Sequence, residues 1–238
     1  MISFTACHHK QQEKVIPFCT RLKRVKITGR RPAFAPNYKL QWANHTVLHV
    51  YFMEDFGALN DKIISIANTW SNFSGISFKK TDQINESQIR VTFKHGGYAS
   101  AVGIECKEHS YDDKPTMFLQ GLDTLQDMKE FTRVVLHESG HAIGLEHELR
   151  KPAAQIPWDT AAVYKYYSDH YGWNRTDVDA NIFQAFITPK QYDEFDSTSI
   201  MVYAVPDTLT KGHYTINWPD QLSKSDKVDI NKWYPKSN

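Results

Sequence analysis

The chain has 238 residues, 41% of them hydrophobic and 13% aromatic, with a formal net charge of +1. That is enough for one globular unit with a sizeable core, divisible into two lobes. A charge so near neutral argues against nucleic acid or an anionic membrane as the main partner, and no apolar run approaches the roughly 18 residues that span a bilayer.

Residues 1–36 differ from the rest. They hold eight Lys or Arg and one acid, Glu13, and close with RRPAFAP, which reads as extended linker. The start, MISFTACHHKQQEK, is too polar for a signal peptide. This leaves a trimmed leader, delivery outside the cell or into another cell without one, or retention in the cytoplasm. Three cysteines, Cys7, Cys19 and Cys106, make no disulfide framework.

A folded pattern starts near residue 42. HTVLHVYFM has strand character. In DKIISIANTW, Ile63, Ile66, Ala67 and Trp70 share a helical stripe. GISFKK and SQIRVTF read as strands, GGYASAVGIE as a shorter strand opened by glycines, and PTMFLQ as another. MKEFTRVVLHESGHAIG reads as a helix with Phe131, Val134, Val135 and Ala142 toward a core. This first lobe is a sheet backed by helices, an α/β (α+β) arrangement. Its boundary falls just after Gly144, so 37–144 form an upper lobe and 145–238 a less regular lower one. There, Pro157 and Asp159 open a helix through VYKYYSDHYG, Asn174 caps RTDVDANIF, and Ser223 with Asp226 forms a capping pair before KVDINKWY.

The chemistry is concentrated in HESGHAIGLEH, residues 137–147. Residues four apart on a helix share a face, so His137 and His141 stand side by side and can hold one zinc ion. Glu138 is rotated from them and can reach a zinc-bound water without being a ligand. Gly144 supplies the left-handed backbone that ends a helix, and His147 returns as a third nitrogen. Three protein ligands leave an open position for water, the catalytic arrangement. A lone HExxH is weak, but all five fixed positions of HExxHxxGxxH coincide here. By chance that happens in fewer than about one such chain in ten thousand.

The pattern resembles the long zinc motif of the metzincins. DSTSIMVYAVP supplies a candidate methionine turn, with Met201 as an apolar base and Tyr203 two residues on. The S-I-M-x-Y arrangement narrows the resemblance to astacin-like zinc metallopeptidases over roughly residues 42–236. It implies a metzincin-type zincin: an upper lobe with a twisted, mostly parallel sheet plus helices, a lower lobe, and one Zn2+ in the cleft between them. It implies a catalytic domain over 37–238 preceded by an arm, 1–36, as a candidate prosegment. Tyr203 becomes a fifth zinc ligand that swings away during turnover, and Glu148 bonds through water to the new N-terminus made by maturation. The chain departs from the family after Glu148, where LRKPAAQIPWD replaces a run of basic and acidic residues, and it lacks the four cysteines of animal astacins.

The implied activity is zinc-dependent endopeptidase hydrolysis, with Glu138 as general base and Tyr203 donating to the carbonyl oxygen as charge builds. The alternative is a catalytically silent zinc-bearing protein-binding module; the intact Glu138 speaks against it. Polypeptide substrates are expected in extended form along an edge strand, for which Tyr98, Ala99, Ser100, Ala101 and Val102 are the candidates. Family zymogens block zinc with a prosegment aspartate, but no Asp precedes Asp55 here. Cys7 or Cys19 is then the candidate latency ligand, against the plainer reading of a solvated or surface-packed arm. Side-chain preference is expected to depend on the wall from Ala204 to Thr210.

Overall fold

The computed structural model describes residues 19–21, 40–94, 97–109, 114–185 and 194–237. The strands are β1 (Cys19–Arg21), β2 (Val47–Phe52), β3 (Ser77–Lys80), β4 (Ile89–Thr92), β5 (Tyr98–Ser100) and β6 (Met117–Leu119). They form one six-stranded sheet in the order β1-β5-β6-β4-β2-β3. Every pairing is parallel except β5 with β6. The sheet is thus mostly parallel, in the mixed α/β class that the sequence indicates.

Burial follows position in the sheet. β2 alternates, with Leu48, Val50 and Phe52 inward, whereas β4, held between β2 and β6, is buried at all four residues. Parallel strands covered on both faces read as such continuous runs.

The helices are α1 (Ala58–Ala67), α2 (Glu105–His109), α3 (Met128–Ala142), α4 (Thr160–Tyr171), α5 (Arg175–Val178) and α6 (Lys224–Trp233). α1 starts three residues earlier than its apolar stripe suggests, because Gly57 at φ 55° lets the chain turn into it. Trp70 falls beyond its end, in a 3-10 turn, and donates its indole N–H to the Leu136 carbonyl of α3 at 3.0 Å. α2 was not legible: the strand expected through Glu105 ends at Ser100, and the chain turns at Gly103 into a short helix for which no element had been expected. RTDVDANIF divides into α5 and a π-turn over Asp179–Phe183, behind an Asn174–Asp177 capping box.

Two apolar cores result. The first lies between the sheet and α1 and α3; Ile200, Met201, Leu222, Ile230 and Tyr234 return from the second half of the chain to join it. The second gathers Leu149, Val163, Tyr167, Val178, Ile182, Val202, Tyr203, Val205, Leu209 and Ile216. Consecutive residues Met201 and Val202 therefore belong to different cores, and the seam between the cores runs past α3. Among the described residues, no helix is long and apolar enough to cross a membrane.

Of the N-terminal arm, only β1 is described. It lies parallel on the outer edge of β5, pairing Cys19 with Tyr98, Thr20 with Ala99 and Arg21 with Ser100. Three residues in a polar, basic stretch carry no strand period, so this pairing was not foreseen. Cys7 lies outside the described residues, and for Cys19 the described placement is its backbone pairing.

Candidate metal centre

α3 is the element on which the site is built. Asp127 caps it, accepting from the backbone N–H groups of Lys129 at 2.9 Å and Glu130 at 3.3 Å. From Arg133 to Ala142 every residue is buried. Its last carbonyls are satisfied from far along the chain: Trp42 Nε1 donates to Ala142 O at 2.8 Å, and Tyr234 Oη donates to Ile143 O at 2.8 Å.

The helix ends at Gly144, whose φ is 105°. The N–H of Gly144 bonds the His141 carbonyl at 2.8 Å and that of Leu145 bonds the Gly140 carbonyl at 2.9 Å. This paired closure is a Schellman motif, which favours glycine at its turning residue. It sends the chain back so that His147 faces the two helical histidines.

His137, His141 and His147 each present a ring nitrogen, and the three nitrogens lie within 4.8 Å of one another. All three residues are buried. His137 Nδ1 is 2.8 Å from Ile200 O, and His141 Nδ1 is 2.8 Å from Leu145 O. A carbonyl oxygen only accepts, so each Nδ1 carries the proton and each neutral ring presents its lone pair at Nε2, the atom that would bind a metal; His141 Nε2 and His147 Nε2 lie 2.8 Å apart. His137 Nε2 is buried with no hydrogen-bond partner. Burial first, then the neighbouring His141, holds the His137 pKa well below its ordinary value. A buried lone pair left without a donor is a cost that a cation removes. A tetrahedral zinc ion with bonds of about 2.0 Å sets its nitrogens roughly 3.3 Å apart, within the span seen. The residues fit one Zn2+, and one zinc ion is the cofactor of this chain.

Glu138 is buried, and its charge reaches the Tyr98 phenol on β5. Tyr203 places its hydroxyl against the His147 ring, 2.9 Å from Nδ1 and in closer contact with Nε2. Met201 is fully buried under α3, and a Cβ at Gly140 would collide with its sulfur. That explains the glycine inside HESGH, which the spacing of the ligands alone does not.

The methionine turn is held by a group that the motif does not contain. Asp226, third residue of α6, accepts from Ser199 Oγ at 2.6 Å and from the Ile200 N–H at 2.8 Å. The carbonyl of the same Ile200 orients His137. The sequence shows Asp226 as half of a capping box with Ser223, and the structure has that box. Its second task depends on packing between distant segments and leaves no local signal.

Glu148 donates its backbone N–H to Met201 O at 3.0 Å. Its carboxylate accepts from the Asp196 N–H at 3.0 Å and pairs with Lys151 Nζ at 2.7 Å. Burial pushes this carboxyl up to about 7 against the opposing pull of Lys151. Lys151 comes from the stretch that departs from the family pattern.

Of the candidate substrate residues, Tyr98, Ala99 and Ser100 form β5. Ala101 and Val102 follow it, both buried, and the Ala101 N–H bonds Thr116 O at 2.8 Å on the β6 side.

A mixed sheet above, a buried helix bearing two histidines, a glycine turn to a third and a methionine turn beneath together define a metzincin-type zincin. Comparison with known proteins narrows this. No known family profile matches the sequence, and no curated protein matches it. Two solved structures of myroilysin do. One is 34% identical with a TM-score of 0.77, over 84% of this chain and 98% of that one. The other is 31% identical with a TM-score of 0.67, over 94% of this chain and 93% of that one. High choriolytic enzyme 1, a hatching enzyme zinc-protease from the medaka fish Oryzias latipes, shares the fold at 18% identity and a TM-score of 0.53, over 84% of this chain and 97% of that one. The chain belongs to the astacin-like zinc metallopeptidases of the metzincin superfamily.

Proposed function

We propose that residues 37–238 form the catalytic domain of an endopeptidase that cleaves polypeptides bound in extended form, with Glu138 as general base. The observation that carries this reading is the buried Glu138 beside three converging imidazoles at the seam of two cores. Bound zinc supplies Lewis acidity toward a peptide carbonyl and acidifies a water molecule. Glu138 takes the proton of the attacking water and passes it to the leaving amine. The Tyr203 hydroxyl, released from His147, donates to the carbonyl oxygen as negative charge builds there. The Nδ1–H bonds of His137 and His141 fix both rings through these steps. Casein digestion by the purified protein, abolished by a chelator and restored by zinc, tests the activity. No digestion with zinc present contradicts it.

Substrate lies along the outer edge of β5. The support is that this edge already pairs with a peptide segment, β1. The pairing of Cys19–Arg21 with the same edge supports reading residues 1–36 as a latency arm, with Cys7 or Cys19 as its zinc-blocking ligand. The full chain is then slower than a form starting near residue 32, and equal rates with no response to thiol reagents leave no latency.

A further inference from the structure

Arg133 sits one turn before His137 on α3, on the same helix face, where side chains four apart are neighbours. It is buried, and a buried guanidinium is stable only when matched. Glu130 grips it with two bonds, Nε to Oε2 at 2.7 Å and Nη2 to Oε1 at 2.5 Å. Its guanidinium carbon lies 3.8 Å from the ring centroid of Trp218, a residue of the segment that follows the methionine turn. Trp218 in turn stands edge-on to Tyr203, with ring centroids 6.4 Å apart. On the other side, the Arg133 and Glu130 charges both reach the phenol of Tyr98 on β5. Arg133, Trp218 and Tyr203 thus form a connected run of side chains that leads to the metal centre, with Tyr98 on β5 within range of its charges. Neither Arg133 nor Glu130 is a zinc ligand or a proton carrier in the reading above, and an apolar residue would fill the Arg133 position at less desolvation cost.

We infer that the Arg133–Trp218 stack is the wall of the subsite for a substrate residue flanking the cleaved bond, and that it selects a large neutral side chain, aromatic or long aliphatic. This rests on the endopeptidase reading above. Trp218, half-buried, offers a flat, polarisable ring on which such side chains stack, with the buried Arg133 guanidinium against it. That cation is already bidentately matched by Glu130, so a substrate carboxylate would have to displace an existing ion pair to gain one. Glu130 is therefore the residue that denies the subsite to acidic side chains.

Cleavage-site profiling of a peptide library by the zinc-loaded protein tests this, comparing wild type with Glu130→Gln, Arg133→Met and Trp218→Leu, each checked for zinc content. Wild type should favour aromatic or long aliphatic residues at one position beside the cut. Glu130→Gln should raise kcat/KM for Asp or Glu at that position about tenfold relative to wild type. Arg133→Met should show no such gain, and Trp218→Leu should lose the aromatic preference. Glu130 lies at the rim of the pair, so its variant keeps the test alive if Arg133→Met does not fold. A wild type that cleaves nothing removes the peptidase reading and this inference with it. A wild type that cleaves, with the Glu130→Gln and Trp218→Leu profiles unchanged from it, overturns the inference alone.

Discussion

On the proposed mechanism, Glu138 and Tyr203 are separable by the depth of the rate loss, with zinc kept in both variants. Glu138→Ala removes a proton carrier and no ligand, so it should keep one zinc per chain and the fold while kcat falls by about 10⁴. Tyr203→Phe removes one donor to the developing oxyanion and should cost about 10² in kcat with zinc retained. Metal analysis beside steady-state kinetics checks both, and equal losses would mean that Tyr203 has a larger role than donation. Gly140→Ala is a test of packing. Its Cβ meets the Met201 sulfur, and the Trp70 ring lies 3.2 Å behind, so the variant should lose about 1–3 kcal/mol in denaturant unfolding. No loss would show that Met201 yields easily. The three histidines were legible because their spacing is local: a helical turn and a glycine stop bring them together whatever the rest of the chain does. The Asp226–Ile200–His137 relay and the Arg133–Trp218 stack were not, because each joins residues more than sixty positions apart. Sequence reading singles out the wall from 204 to 210 for side-chain preference; Trp218 lies beyond it, and its stacking on Arg133 of α3 carries no local signal.

At the scale of elements, α3 and β5 do most of the positioning. The period of α3 is strong and its caps are written in Asp127 and Gly144, so both its existence and its end could be read. The strands were readable in kind but proved shorter than their apolar runs, since residues at each end enter turns. β1 was invisible for the opposite reason. Its strand state comes from the hydrogen bonds of the β5 edge and not from its own residues. Along β5 the N–H of Ala101 turns to β6, so alternation directs those of Tyr98 and Ser100 outward. Tyr98→Pro removes an outward donor, and should raise KM for peptides severalfold while weakening any hold of the arm. Unchanged KM would place the substrate elsewhere. On the latency reading proposed above, an arm tethered in the same chain would compete at roughly millimolar effective concentration, so its removal should raise kcat/KM by about tenfold.

At the scale of the whole molecule, the two cores meet at the metal centre. The first holds α3 and Met201, and the second holds Val202 and Tyr203. Zinc that binds only the folded state should therefore stabilise both together. At free zinc a thousandfold above Kd the gain is about 4 kcal/mol, on the order of 10 °C in Tm for a chain of this size. Calorimetry with and without chelator should show one transition moving as a unit. The division of the fold into a sheet-bearing part and a less regular part was legible from periodicity. The return of Ile200, Met201, Leu222, Ile230 and Tyr234 to the first core was not, because the apolar residues of α6 do not announce which core they enter.

The most direct measurement is the zinc content of the purified chain beside that of His141→Ala, taken after dialysis against metal-free buffer. The account predicts one zinc per wild-type chain and little or none in the variant, with casein digestion lost in parallel. A folded wild type that holds no zinc and takes none up, or a His141→Ala protein that keeps a full equivalent, would contradict it.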